Sequence, residues 1–185
     1  MLLLLLVAAA LAVWAVLIYN GLVRLRVQTE NAWSDIDVQL KRRYDLIPNL
    51  VETVKGYAAH EKDTLEAVIE ARNQAISAQG PAAQGAAEGM LTQALKSLFA
   101  LAESYPQLRA VESFTHLQES LQGIEEAVQN ARRYYNAVVR DLNTRIAQFP
   151  SNLVAGLFGF RPREFFEIAT PEREAPRVSF GGGAE

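Results

Sequence analysis

The sequence predicts an all-α protein: an N-terminal single transmembrane helix, an elongated bundle of long antiparallel helices, a short C-terminal helix and a partly extended tail. Three patterns predict it. Met1 to Tyr19 carries no charged residue, and the apolar run reaches Val23 with only Asn20 and Gly21 interrupting it. Trp33, Ile36, Leu40, Tyr44, Ile47, Val51, Val54, Ala58 and Leu65 then recur at helical intervals. Finally, Phe114, Leu121, Val128, Tyr135, Leu142 and Phe149 mark a seven-residue repeat.

The first segment, residues 1–23, reads as a membrane anchor. A bilayer-crossing helix needs about 20 apolar residues, because each adds ~1.5 Å across a hydrocarbon core of ~30 Å. A secretory signal peptide would carry basic residues ahead of its apolar run and a small-residue cleavage site behind it. No Lys or Arg precedes this run, whereas Arg24 and Arg26 follow at once, with Lys41, Arg42 and Arg43 further on. Cleavage near Ala8, Ala9, Ala10 and Ala12 stays open as the alternative. The basic excess on the C-terminal side predicts an N-terminus outside and a cytoplasmic body.

Residues 24–160 form the body, and its first helix is expected over about 24–77. Val68, Ile69, Ala75 and Ile76 extend the apolar pattern that far. Asp37, Lys41 and Asp45 follow at i,i+4 spacing, where exposed pairs contribute ~0.2–0.5 kcal/mol each. Arg43 flanks one edge of the apolar stripe, while Asp35 and Arg42 point to the back. Asp35 and Asp37 resemble a carboxylate pair, yet positions two apart on a helix diverge by about 200°. They form no acid–base pair on a single helix. Pro48 cannot donate to the Tyr44 carbonyl. The expected outcome is a kinked but continuous helix, with that carbonyl requiring another partner.

Gly80-Pro81 ends this pattern, and Ala82–Gly89 reads as a small-residue connector without the spacing or lysine of a phosphate loop. The second body helix is expected over about 88–105, burying Met90, Leu91, Ala94, Leu95, Leu98, Leu101, Ala102 and Tyr105. A third is expected over about 107–149, with Leu117, Ile124, Ala131 and Val138 as the companion seam. Ser151 then opens a short helix over 151–157. That helix can fold against the bundle end or dip into the membrane surface. With three body helices the last points outward, away from the anchor, unless an unrecognised reversal intervenes.

A polar row of Arg132, Asn136, Arg140 and Asn143 lies outside the main seam. It reads as a solvated face, or as a second interface with Tyr134 and Val139 adding apolar area. In the C-terminal segment, residues 161–185, Phe165, Phe166 and Ile168 pin the chain to the body. Val178 and Phe180 can dock as an extended strip, and Gly181–Gly183 supplies a flexible tail.

Composition narrows the function. There is no cysteine, which excludes thiol catalysis, thiolate metal sites and disulfides. His60 and His116 sit in no metal-binding pattern, so no metal or cofactor is expected. Ser34, Thr53 and Ser113 have no base-and-orienter arrangement around them, which leaves a hydrolase as a remote alternative. A net charge of -3 gives no electrostatic pull toward nucleic acid, and none is expected as a partner.

Several blocks together resemble the LemA family. They are the uncharged anchor, YNGLVRLR at 19–26, AWSDIDVQLKRRYDLIPNLVETVKGYA at 32–58 and LAESYPQLRA at 101–110. RRYYNAVVRDLNTRIAQFP at 132–150 and the NLVAGLFGF segment ending at Phe160 complete the set. They stand in family order across nearly the whole chain. Val111 departs from the asparagine often found after the YP-containing turn. The resemblance implies a single-pass protein of the bacterial cytoplasmic membrane with no general enzymatic chemistry. It carries over no catalytic residue. Trp33, Asp35, Asp37, Arg42, Arg43, Pro48, Asn49, Arg132, Tyr135 and Asn136 match its motifs as structural or interface candidates. Arg140, Asn143 and Phe180 join them from the residue pattern.

The expected function is a membrane-tethered helical scaffold that forms homo-oligomers and helps organise the envelope or its membrane proteins. An adaptor, monomeric and bound to a membrane-protein quality-control complex, is the alternative.

Overall fold

The structure is a computed structural model that describes residues 1–168. Val178, Phe180 and the glycine-rich end therefore lie outside the described residues. Among the described residues six helices follow in order: α1 Leu2–Lys55, α2 Lys62–Ser77, α3 Pro81–Ala102, α4 Pro106–Arg109, α5 Glu112–Ala147 and α6 Ser151–Leu157. The described residues contain no strand.

Helix α1 spans 54 residues, about 81 Å at 1.5 Å per residue. Its apolar N-terminal part is long and apolar enough to cross a membrane, and the remainder is the spine of the body. Helix α5 runs antiparallel to it: Leu142 packs beside Ile18 and Leu22, Tyr135 beside Trp33, and Glu125 against Arg43. Helices α2 and α3 fill only the half away from the apolar end.

Three apolar clusters follow one another along the rod. The far one joins Ile47, Leu50 and Val54 of α1 to Leu65 and Val68 of α2, Leu91 and Leu98 of α3, Leu108 of α4, and Phe114 and Leu121 of α5. The middle one packs Ala32, Ile36 and Leu40 against Val128, Tyr135, Val139 and Phe166. The near one sets Ile18 and Leu22 against Leu142, Val154 and Ala155.

The structure corrects several expected boundaries. The helix expected over 24–77 breaks between Lys55 and Lys62, and the chain reverses there. Gly56 weakens the helix, Tyr57 and Ala58 donate to Val54 O, and Ala58 is buried inside the turn. Apolar spacing persisted through this reversal because both arms face one core. Residues 82–89 are not a connector. They form the start of α3, with Pro81 at the first turn after Gly80 at φ 82°, a conformation that suits glycine. Alanine's high helix propensity then outweighs the two glycines within this stretch. Helix α3 ends at Ala102 rather than Tyr105, and the helix expected over 107–149 divides into α4 and α5, which ends at Ala147. The extra reversal changes the direction of everything after it. Helix α5 returns to the apolar end of α1 and does not point outward.

Individual positions change as well. Phe149 leaves the heptad seam and is exposed, as are Met90, Ile69 and Ile76. Val139, expected on a second surface, is fully buried. Ser151 does not cap its own helix. Its hydroxyl turns back to the open end of α5, 2.6 Å from Arg145 O and 2.8 Å from Gln148 O.

Candidate functional site

Two polar constructions hold the body together. The first is a buried charge clasp among α1, α3 and α5. Arg43 projects from α1, with Nη1 donating to Glu88 Oε2 at 2.8 Å. Its Nη2 donates to Thr92 Oγ1 at 2.9 Å and meets Glu125 Oε2 at 3.0 Å. Glu88 has no exposed surface and Arg43 is 3% exposed. Such a pair holds only when the remaining polar atoms are satisfied. Here they are: Tyr44 donates its phenol to Glu88 Oε1. Gln84 Nε2 reaches Tyr44 Oη at 2.8 Å and Ala75 O at 3.0 Å. No buried side-chain polar atom among the described residues lacks a partner.

Burial, followed by the hydrogen bond to Glu88, drives the Tyr44 phenol well above its ordinary range. The clasp therefore keeps Tyr44 a neutral donor. Arg43, expected to flank one edge of the apolar stripe, is instead buried as the central cation of the clasp. Among the described residues, no ion pair joins Asp37, Lys41 and Asp45, and all three are exposed.

The second construction clamps the chain after α6. Residues 161–168 run back along α5 as a strap without helix or strand. Asn136 meets both backbone groups of Phe166: its Nδ2 donates to Phe166 O at 3.0 Å, and Phe166 N donates to Asn136 Oδ1 at 2.9 Å. Asn143 repeats the motif on Arg163, at 2.9 and 2.8 Å. Between them, Tyr135 Oη donates to Glu164 O at 2.9 Å. Two asparagines seven apart on one face thus act as surrogate backbone for an extended segment.

The strap drives Phe166 fully into the middle cluster. Its ring stands edge-on to Trp33 at 5.6 Å, and Trp33 lies 5.3 Å from Tyr135. Further along, a Cβ on Gly85 would fall 2.0 Å from Glu167 O. The strap crosses α3 where glycine leaves room for it.

The remaining sequence candidates lie apart from these constructions. Asp35, Asp37, Arg42, Pro48 and Asn49 are exposed along α1. Arg132 and Arg140 line an open groove of about 530 Å³ beside Phe165, Phe166 and Ile168. His60 and His116 are exposed. Among the described residues, no group of three or more His, Asp or Glu is placed to hold a metal. Glu88 and Gln84 were missed because they lie in the stretch read as a connector. The signal was their spacing with Thr92, at i,i+4 and i,i+8 on one face, leading into Leu91 and Leu95.

The arrangement braces and orients; it aligns no nucleophile with a base. The model for the LemA family matches residues 32–180. The chain is 27% identical over 187 aligned positions to Magnetosome protein MamQ 2 of Paramagnetospirillum magneticum, covering 87% of this chain and 68% of that protein. Magnetosome protein MamQ of Magnetospirillum gryphiswaldense is 25% identical, with the same coverages. Protein LemA of Metamycoplasma hominis is 24% identical over 83% of this chain and 71% of its own length.

Proposed function

Because the chain belongs to the LemA family, a non-catalytic family, we propose that it is a membrane-tethered helical scaffold that self-associates and organises envelope membrane proteins. One observation carries this reading: the apolar, membrane-length segment and the spine of the body are a single helix, α1, with no linker between them. A continuous helix transmits orientation, whereas a flexible linker would lose it. Bodies held upright on one membrane gain effective concentration, so weak lateral contacts act together. The basic residues after the apolar run support a body in the bacterial cytoplasm and an N-terminus outside. Residues 1–23 are the proposed anchor, and exposed α1 positions such as Asp35, Arg42 and Asn49 are proposed lateral contacts.

Cross-linking in native membranes followed by mass analysis tests this. Subunit pairs are expected; monomers alone across the working concentration range would count against self-association. The groove beside the strap, bordered by Arg132 and Arg140, favours the second reading of a monomeric adaptor for a membrane-protein complex. A stable heterologous partner recovered with monomeric chain would select that reading.

A further inference from the structure

Helix α6 is apolar on two opposite faces, and among the described residues nothing covers the outward one. Val154 and Ala155 are buried against Ile18 and Leu22, while Leu153 is 61% and Leu157 80% exposed. Phe149 before the helix is also exposed, at 74%. Phe158, just after the helix, reaches Tyr19 with ring centroids 4.8 Å apart and keeps much of its surface open. These residues make up an exposed apolar patch in the chain just past the end of α5.

Its position identifies the occupant. Ile18 and Leu22 belong to the uncharged run that stops at Arg24, so α6 sits beside the last turns of the apolar helix. Ile18 precedes Arg24 by about 9 Å of helix rise. A helix lying in the membrane interface buries its apolar face ~5–10 Å deep. The two depths agree. Arg24, Arg145 and Arg161 are exposed around this end, where cationic side chains meet lipid headgroups. Arg26 instead stacks over Phe160, 5.7 Å from the ring centroid.

We propose that α6, with Phe149 and Phe158, is a second membrane contact: an interfacial foot inserted beside the anchor that sets the angle of the rod to the bilayer. The foot rests on the reading of α1 as the anchor. One spanning helix leaves the body free to tilt and rotate; a lateral foot about 10 Å from the α1 axis, one helix diameter away, restrains both.

The chain's lack of cysteine makes a direct test available. Full-length Leu157→Cys, Leu11→Cys and Ser97→Cys variants are labelled with an environment-sensitive fluorophore. They are then reconstituted in phosphatidylcholine–phosphatidylglycerol vesicles carrying a doxyl quencher near the carbonyl end of the acyl chain. Leu157 and Leu11 face outward and Ser97 is exposed on α3, so the labels leave packing intact. The expected result is lipid quenching at positions 157 and 11 and none at 97. Quenching at 11 with a water-exposed label at 157 overturns the foot and leaves the anchor standing. A label at 157 shielded from water yet unquenched also overturns it, because a protein surface then covers the patch. Loss of quenching at both 157 and 11 overturns foot and anchor together.

Discussion

Arg72 Nε donates a 2.8 Å hydrogen bond to the backbone carbonyl of Tyr44, the one acceptor in α1 that Pro48 deprives of its helical donor. Helix α1 consequently runs unbroken through Pro48. A side chain from α2 repairs a defect in α1, and the repair is possible only because the chain reverses at residues 56–61.

Removing that donor should expose the defect. Arg72→Met is expected to cost about 1–3 kcal/mol, the usual penalty for leaving a buried polar group unpaired. Adding Pro48→Ala restores an amide donor for Tyr44 O, so the double variant should regain most of the loss. Thermal unfolding of the full chain in detergent reads both. Equal losses in the single and double variants would show that the carbonyl does not need Arg72.

The charge clasp predicts an asymmetry between breaking a pair and replacing it. Arg43→Ala alone strands the buried charge of Glu88 and should cost roughly 3–5 kcal/mol. Arg43→Met with Glu88→Leu removes both charges and should be far less harmful. Urea unfolding followed by circular dichroism would distinguish the cases. A single variant that loses under about 1 kcal/mol, as exposed pairs do, would place the pair in solvent.

Alkaline pH should weaken the clasp through Tyr44. Its folded-state pKa lies above the ordinary 10.0, because of burial first and its hydrogen bond to Glu88 second. The resulting stability is complete below that ordinary value and is lost as pH rises through the folded-state value. Melting temperature should therefore decline as pH passes 10, and Tyr44→Phe should decline less steeply from its lower starting point. Parallel slopes for the two proteins would contradict a role for this phenol.

Clamping of the strap can be read at one amide. Asn136→Ala removes both bonds to Phe166, and Gly85→Ala places a methyl against Glu167 O. Each should accelerate hydrogen exchange at the Phe166 amide while leaving central amides of α5 protected. The first should also cost about 1–3 kcal/mol. Unchanged exchange at Phe166 in both variants would mean that the strap is held elsewhere.

What was legible in the chain is local. An uncharged run, helical spacing and a heptad series report which face of a helix avoids water, and each requires only near neighbours. They determined the all-α class, the apolar N-terminal helix, the apolar seams of α1 and α5 and the short α6. The need for a new partner at Tyr44 O was also legible, since Pro48 alone creates it; the identity of that partner was not. Tertiary structure decided the reversal at residues 56–61, where Gly56 is only a modest weakness until α2 can pack on α3. It also decided that Arg43 meets Glu88 from 45 positions away, and that Asn136 and Asn143 grip a strap instead of facing solvent. Most consequentially, it brought α5 back toward the anchor. The physical reason is common to all four: apolar periodicity records that a face is buried but not against what, and a reversal inside one continuous core leaves that periodicity unchanged.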